Sequence, residues 1–131
     1  MSNKILIVDD TETMRLYERM LLTGQGYELD LAGDGVEALE KMKEDLPDLV
    51  LLDIMMPKMD GIECCRRIKE DEMMKDVKVV MVTTKSEYER VKEAFAAGCD
   101  DYITKPIDKL ELLSKIKELL RFMNLRQLLQ T

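Results

Sequence analysis

The sequence has 131 residues, of which 46% are hydrophobic and 36% are charged, and its formal net charge is −7. This length and composition predict one soluble globular domain with a single core. The acidic balance argues against direct binding to nucleic acid, because phosphate contacts require clustered lysine and arginine. Histidine is absent, which excludes histidine-based catalysis and most zinc and transition-metal sites.

No part of the sequence predicts contact with a membrane. No apolar run is long enough to span a bilayer, and the first residues lack the apolar core of a signal peptide. The three cysteines, Cys64, Cys65 and Cys99, form no CxxC pair and are odd in number. We therefore expect a cytoplasmic protein with no membrane partner, in which the cysteines are small, reduced, buried side chains.

Short aliphatic segments alternate along the chain with longer segments of helical periodicity. The apolar runs that predict strands are Ile5–Val8, Tyr27–Ala32, Leu49–Ile54, Val77–Thr83 and Tyr102–Thr104. The predicted helices run from Thr11 to about Gln25, from just after Asp34 to before Pro47, after Gly61, from near Ser86 to Gly98, and from Asp108 to about Leu129. The second helix begins with a capping-box pattern, Asp34 followed by Glu37, and Gly98 is a C-cap for the fourth.

This alternation of strand and helix, repeated five times, predicts an α/β fold. The strands are expected to form a doubly wound, five-stranded parallel sheet with helices on both faces. The first, third and fourth strands are nearly continuous apolar runs, which is typical of central parallel strands. The second and fifth strands are more mixed in character and suit the edges of the sheet.

Polar residues follow the strands at the edge where ligands bind in open α/β sheets. The residues at these carboxyl ends are Asp9, Asp10, Asp53, Thr83, Thr84 and Lys105. Three carboxylates without histidine or a cysteine pair offer oxygen ligands, which suit a hard cation and most simply Mg²⁺. The lysine supplies a fixed positive charge opposite them. A single acid at a strand end is usually a turn or cap residue, but the joint placement favours a site.

The chemistry that such a pocket supports is phosphoryl transfer. A carboxylate can act as a nucleophile and form an acyl phosphate. A metal ion, an ammonium group and a hydroxyl group can stabilise the charge on the transferring oxygens. Asp53 is the best candidate for the nucleophile, because it ends the most apolar strand alone and leaves the paired acids free to hold the metal.

Four motifs resemble those of the receiver domains of two-component response regulators, the family that includes chemotaxis regulators. They are LIVDD (Leu6–Asp10), LLDIMMPKMDG (Leu51–Gly61), VVMVTT (Val79–Thr84) and YITKP (Tyr102–Pro106). The resemblance covers residues 4 to about 121, so that residues 1–121 form the receiver domain. It implies a flavodoxin-like fold with strand order 2-1-3-4-5. It also implies a signalling switch rather than an enzyme, which catalyses only its own phosphorylation and slow dephosphorylation.

The resemblance assigns roles to the polar residues by position. Asp53 resembles the aspartate that accepts a phosphoryl group from a histidine kinase or phosphotransfer protein. Asp9 and Asp10 resemble the acidic pair that holds Mg²⁺, with Asp53 and the backbone carbonyl of Met55 as further ligands. Lys105 resembles the lysine that pairs with the phosphoryl oxygens, and its peptide bond to the following proline is expected to be cis.

The resemblance also implies how a signal would leave the domain. Thr83 resembles the hydroxyl that reorients toward the phosphoryl group, and Tyr102 matches the aromatic switch position. The fourth helix, fifth strand and fifth helix are therefore expected to bind an output protein or an output domain. Two positions depart from the usual pattern. Thr84 replaces a smaller residue and is expected to crowd the phosphoryl group, and Met55 offers no polar group to align water, which predicts a longer-lived phosphoryl group.

The last helical pattern is unusually long. From Asp108 to about Leu129 it predicts a helix of roughly 30 Å, whereas a strand of typical length spans about 17–20 Å. Residues 122–131 are therefore expected to extend beyond the sheet, leaving without a core Phe122, Leu125, Leu128 and Leu129. This extension is expected to form a homodimer or to begin a linker to an output domain, and a tail that folds back is the alternative.

Three other functions are less consistent with the sequence. A phosphohydrolase of the haloacid-dehalogenase type needs a DxDx motif after the first strand, where this chain has Asp9, Asp10 and Thr11. A flavodoxin-type flavin module needs a phosphate loop there, and acids would repel a phosphate. A degenerate receiver that serves only as a scaffold would lack part of the acid, threonine and lysine set. The sequence identifies neither the kinase nor the output.

Overall fold

The structure, a computed structural model, describes residues 3–130, without the side chains of Phe122, Arg126, Gln127 and Gln130. Five parallel strands form one sheet in the order β2-β1-β3-β4-β5. Their bounds are Lys4–Val8 (β1), Glu28–Ala32 (β2), Leu49–Asp53 (β3), Lys78–Thr83 (β4) and Asp101–Thr104 (β5). The predicted flavodoxin-like topology is confirmed, with the apolar strands at the centre and the mixed strands at the edges.

Five α-helices connect and follow these strands. Their bounds are Glu12–Leu22 (α1), Gly35–Glu44 (α2), Gly61–Glu70 (α3), Arg90–Ala96 (α4) and Lys109–Gln130 (α5). The side chains of Thr11, Asp34 and Asp60 cap the first three helices by accepting a backbone N–H from the residue three positions on. The N-cap half of the capping box predicted for α2 is confirmed, but the Glu37 carboxylate accepts from the N–H of Gly33, one residue before the N-cap, rather than from that of Asp34.

Alternate residues of the central strands enter two separate cores on opposite faces of the sheet. Leu6 and Leu52 pack in the core that contains the buried side chains of α2, α3 and α4. Ile7 and Leu51 pack in the core that contains those of α1 and α5. The cysteines are free and buried, and burial raises the pKa of each thiol, so that they are inert core side chains as expected.

Two predicted helix boundaries were wrong. The first helix ends at Leu22 rather than near Gln25, because Thr23 closes its last turn. The Thr23 N–H donates to the Met20 carbonyl, and its hydroxyl donates to the Arg19 carbonyl. The fourth helix was expected near Ser86, but a single 3-10 turn occupies Lys85–Glu87 and α4 begins at Arg90. The Thr84 hydroxyl contacts the side chains of Ser86 and Glu87 at 2.8 and 2.7 Å and holds this turn together.

Asp60 has two separable roles, which a pair of substitutions distinguishes. Its carboxylate caps α3 at 2.9 Å from the Glu63 N–H, and it accepts from Arg90 Nη2 at 2.9 Å. We expect Asp60→Ala to lower the free energy of unfolding by about 1 kcal/mol, the value of a lost cap. Asp60→Asn keeps a capping oxygen and loses only a half-exposed ion pair, so its effect in urea unfolding should be smaller. Equal losses in the two variants would contradict the capping role.

The end of α5 carries exposed apolar side chains, and its extension beyond the sheet stays a prediction. The helix has 22 residues, which corresponds to about 33 Å. Leu120 is 3% exposed, whereas Leu125, Leu128 and Leu129 are 50%, 69% and 89% exposed. The expectation for Phe122 lies outside the described side chains. No helix within residues 3–130 is both long enough and apolar enough to cross a membrane.

Candidate functional site

The register of the sheet brings the predicted polar residues to one edge. Val8 is paired with Leu52, so that Asp9 follows β1 beside the end of β3, where Asp53 is the last residue. Asp53 is in turn opposite Val82, and the next residue of β4 is Thr83. The Lys105 N–H donates to the Thr83 carbonyl at 2.7 Å, which fixes the chain just after β5.

Three carboxylates converge at this edge. One oxygen each from Asp9, Asp10 and Asp53 lies within 4.8 Å of the others. Asp9 and Asp53 are buried, whereas Asp10 is exposed. Asp9 Oδ1 accepts from the Thr11 N–H at 2.9 Å, but Asp9 Oδ2 is buried without a hydrogen bond. A buried carboxylate oxygen that accepts no hydrogen bond, beside two further carboxylates, fits an oxygen-preferring cation such as Mg²⁺.

The Lys105 ammonium is the positive charge that the paired acids require. Its Nζ lies 3.3 Å from Asp53 Oδ2 and 3.5 Å from Asp9 Oδ2. Burial alone would lower the pKa of Lys105, but the attraction of Asp53 and Asp9 raises it above its usual value. The pKa of Asp53 is raised to about 7, chiefly by burial and also by the neighbouring Asp9, while Lys105 opposes the rise. The peptide bond from Lys105 to Pro106 is cis, as expected.

Neither of the two predicted switch residues, Thr83 and Tyr102, has a side-chain hydrogen bond to the acid cluster in the described part of the chain. Thr83 is fully buried, and its hydroxyl donates to the Thr84 carbonyl at 3.1 Å. Tyr102 is partly exposed on β5 and packs edge-on against Tyr88 and Phe95, with ring centroids 6.2 and 6.1 Å apart. These three rings line an open groove beside α4.

The two positions that depart from the usual family pattern lie at the border of the site. The Met55 side chain is 53% exposed, and its sulfur lies 3.5 Å from Arg90 Nη1. The role of its carbonyl as a metal ligand stays a prediction. The Thr84 side chain is held by the 3-10 turn that follows it. Whether it crowds a phosphoryl group also stays a prediction.

One residue beside the site was missed in the sequence. Glu18 on α1 is completely buried, and neither carboxyl oxygen has a hydrogen-bond partner. A signal was present, because Glu18 lies four residues after Met14 and three before Leu21 on the apolar face of that helix. A charged residue in the middle of an apolar helix face indicates either that the buried face was assigned wrongly or that the ionisable group is itself buried.

The comparison with protein families agrees with this geometry. The sequence profile described as the response regulator receiver domain matches residues 5–117. The chain belongs to this family. Receiver domains are signalling switches of two-component systems, they interact with histidine kinases and output domains, and they bind Mg²⁺ through acidic residues. The resemblance found in the four sequence motifs is therefore confirmed at the level of the family.

This receiver domain is similar to parts of longer proteins and also to nearly the whole length of shorter ones. It is 42% identical over 123 residues to response regulator PleD of Caulobacter vibrioides, covering 93% of this chain and 27% of PleD. The structure of chemotaxis response regulator CheY4 of Vibrio cholerae is similar with a TM-score of 0.84 and 30% identity, covering 91% of this chain and 99% of CheY4. The structure of NtrX from Brucella abortus gives a TM-score of 0.89 and 28% identity, covering 99% of this chain and 29% of NtrX.

Proposed function

We propose that this receiver domain accepts a phosphoryl group on Asp53 from a histidine kinase or phosphotransfer protein in the cytoplasm. The observation that carries the proposal is the Lys105 ammonium, which bridges Asp53 and Asp9 within a cluster of three carboxylates. A lysine fixed beside the nucleophile can pair with the transferred phosphoryl oxygens without a large rearrangement. Asp9, Asp10, Asp53 and the Met55 carbonyl are the proposed ligands of Mg²⁺.

The reaction follows from the placement of these side chains. An oxygen of Asp53 forms a bond to phosphorus while the bond from phosphorus to the donor nitrogen breaks, and the donor imidazole leaves with that electron pair. The chemistry supplied by bound Mg²⁺ is neutralisation of charge on the transferring oxygens. Lys105 then pairs with the phosphoryl group rather than with the free Asp53 carboxylate. The Thr83 hydroxyl would have to release the Thr84 carbonyl before it could donate to the same group.

The proposal is tested by intact mass after incubation with Mg²⁺ and acetyl phosphate. We expect one phosphoryl adduct that requires Mg²⁺ and is absent from Asp53→Asn. The matched control is Asp45→Asn, which alters an exposed aspartate that pairs with Lys4 on the other side of the protein and should leave the adduct unchanged. An adduct that persists in Asp53→Asn, or no adduct on wild-type protein that binds Mg²⁺, would contradict the proposal.

Binding of Mg²⁺ should weaken as the pH falls through about 7. Burial raises the pKa of Asp53 to about 7, so below this pH the metal must displace a proton from that carboxyl. The apparent affinity should then fall by up to about tenfold per pH unit. Calorimetric titrations at about pH 6 and about pH 8, each in two buffers of different ionisation enthalpy, measure both the affinity and the released protons. An affinity that does not change with pH would remove Asp53 from the ligand set.

The output face is proposed to comprise α4, β5 and α5. Tyr102, Tyr88 and Phe95 form an aromatic cluster there, and Lys115 Nζ lies 5.0 Å from the Tyr102 ring. A turn of the Tyr102 ring toward the site would change the groove beside α4, which supports docking of an output protein or domain at this face. For the exposed end of α5, the similarity to NtrX over 99% of this chain favours a linker into a further domain, and a homodimer is the second candidate.

A further inference from the structure

Glu18 occupies a position where a carboxyl group is costly. It lies on the inward face of α1, near Leu21 and Leu22, which belong to the apolar core between the sheet and the α1 and α5 layer. Its exposure is 0%, and both carboxyl oxygens lack a hydrogen-bond partner. Burial of a carboxyl group without a partner is unfavourable, and an apolar side chain of similar size would be expected to pack better.

The charged groups with the largest effect on the pKa of Glu18 belong to the proposed phospho-acceptor site. The pKa of Glu18 is raised to about 8, chiefly by burial; Asp9 and Asp53 contribute to the rise and Lys105 opposes it. Glu18 likewise attracts the Lys105 ammonium, after Asp53 and Asp9. Glu18 therefore interacts electrostatically with the acid cluster. It does so from α1, the helix that begins at Glu12 directly after the acidic pair, and its carboxyl group is buried and without a hydrogen-bond partner.

The geometry of Lys105 indicates what such a carboxyl could do. An ammonium group has three N–H donors, and the oxygens near Lys105 Nζ belong to Asp53 and Asp9, at 3.3 and 3.5 Å. These same two carboxylates are the proposed ligands of Mg²⁺. When a cation takes their oxygens, the ammonium loses its acceptors and is repelled by the metal. Glu18, a buried acid whose oxygens have no hydrogen-bond partner, could then receive it.

We propose that Glu18 is a positioning residue of the phospho-acceptor site, an alternative partner that receives the Lys105 ammonium when Mg²⁺ takes the carboxylates of Asp9 and Asp53. This inference rests on the proposed function, since it assumes that these acids hold the metal. Glu18 then keeps the lysine close to Asp53, from where it returns to pair with the incoming phosphoryl oxygens. The residue acts through Lys105 and touches neither the metal nor the phosphoryl group.

The experiment follows Mg²⁺ binding and the Lys105 ammonium in wild-type protein, Glu18→Gln and Glu18→Leu. Calorimetry gives the Mg²⁺ affinity, and the ¹⁵N signal of Lys105 Nζ reports its partner. We expect Mg²⁺ to shift this signal to a new position in the wild-type protein and not in the variants. We also expect both variants to bind Mg²⁺ about tenfold more weakly, as is typical when a residue that supports a metal site is removed.

The control is Glu40→Gln, which removes one negative charge from an exposed position on α2 and should bind Mg²⁺ as the wild-type protein does. Thermal unfolding of each variant shows whether it is folded. If Glu18→Leu fails to fold, Glu18→Gln still tests the inference. Wild-type affinity in Glu18→Gln, with the same Lys105 shift on adding Mg²⁺, would overturn the role of Glu18 and leave the proposed function intact. Wild-type protein that binds no Mg²⁺ would instead overturn the proposed metal site and the inference with it.

Discussion

Gly61→Ala is expected to destabilise the protein by about 3 kcal/mol or more and to weaken Mg²⁺ binding at the acid cluster. Gly61 is the first residue of α3, and its N–H donates to the Ile54 carbonyl at 2.7 Å. A Cβ atom at this position would lie 2.2 Å from the Asp53 carbonyl oxygen and 2.9 Å from Ile54 Cα. These are backbone atoms, which cannot move aside as the end of a flexible side chain can.

The overlap involves the backbone of the proposed phospho-accepting residue, which is why the effect should reach the site. To admit a methyl group, the start of α3 or the end of β3 must shift by an ångström or so. A displacement of that size at Asp53 would alter its distance from Lys105, which is 3.3 Å in the native arrangement. We therefore expect both a lower urea midpoint and a weaker calorimetric affinity for Mg²⁺.

Gly33→Ala is the matched control for this substitution. A Cβ atom at Gly33 would lie 3.4 Å from Arg15 Nη1 and 3.6 Å from a Glu37 carboxylate oxygen, both at the flexible ends of side chains. Its effect on the urea midpoint should be within about 1 kcal/mol. If Gly61→Ala behaves like Gly33→Ala in both measurements, the close approach between α3 and Asp53 is not a constraint on the fold.

The sheet and most of the acid cluster could be predicted from the sequence because both depend on periodicity and chain order. Apolar runs alternate with amphipathic segments, and parallel strands place their carboxyl ends at one edge. Asp9, Asp10, Asp53 and Lys105 were therefore expected together, and the structure brings them together. No side-chain conformation had to be known for this result.

Features that depend on side-chain conformation were less predictable. The Thr83 hydroxyl bonds to the next carbonyl rather than to the acids, and a threonine at a strand end allows either direction. The start of α4 was displaced because the Thr84 hydroxyl forms a local turn with Ser86 and Glu87, which competes with a helical start. Burial of Glu18 depends on how α1 packs over the sheet, and tertiary packing is only partly encoded by helical periodicity.

Glu18→Leu is expected to stabilise the metal-free protein, by an amount that grows as the pH rises. The ordinary pKa of a glutamate, 4.5, applies to the unfolded chain, and burial raises the pKa of Glu18 to about 8 in the folded protein. Between these values the unfolded chain releases the proton while the folded protein retains it, so wild-type stability falls with rising pH. Leucine binds no proton in either state, and this source of pH dependence is lost.

The difference in the free energy of unfolding between Glu18→Leu and wild-type protein should therefore be small near pH 4.5 and largest near pH 8 and above. Linkage sets an upper bound on the order of 5 kcal/mol for this change. The pKa of Asp53 is also raised on folding, but Asp53 is present in both proteins, so its contribution is largely common to both stability curves and cancels in the difference. Urea unfolding without Mg²⁺ at a series of pH values measures the difference directly.

Glu18→Gln separates ionisation from burial in this experiment. The amide cannot ionise, so the variant should also lose the pH dependence, but it still buries an unpartnered polar group and should gain less stability than leucine does. Parallel stability curves for wild-type protein and Glu18→Leu would mean that the Glu18 carboxyl is not held neutral by its surroundings. If a Glu18 variant is more stable than the wild-type protein and yet binds Mg²⁺ more weakly, loss of structure cannot explain the weaker binding. Such a result would indicate that the buried Glu18 carboxyl serves the site at the expense of the stability of the fold.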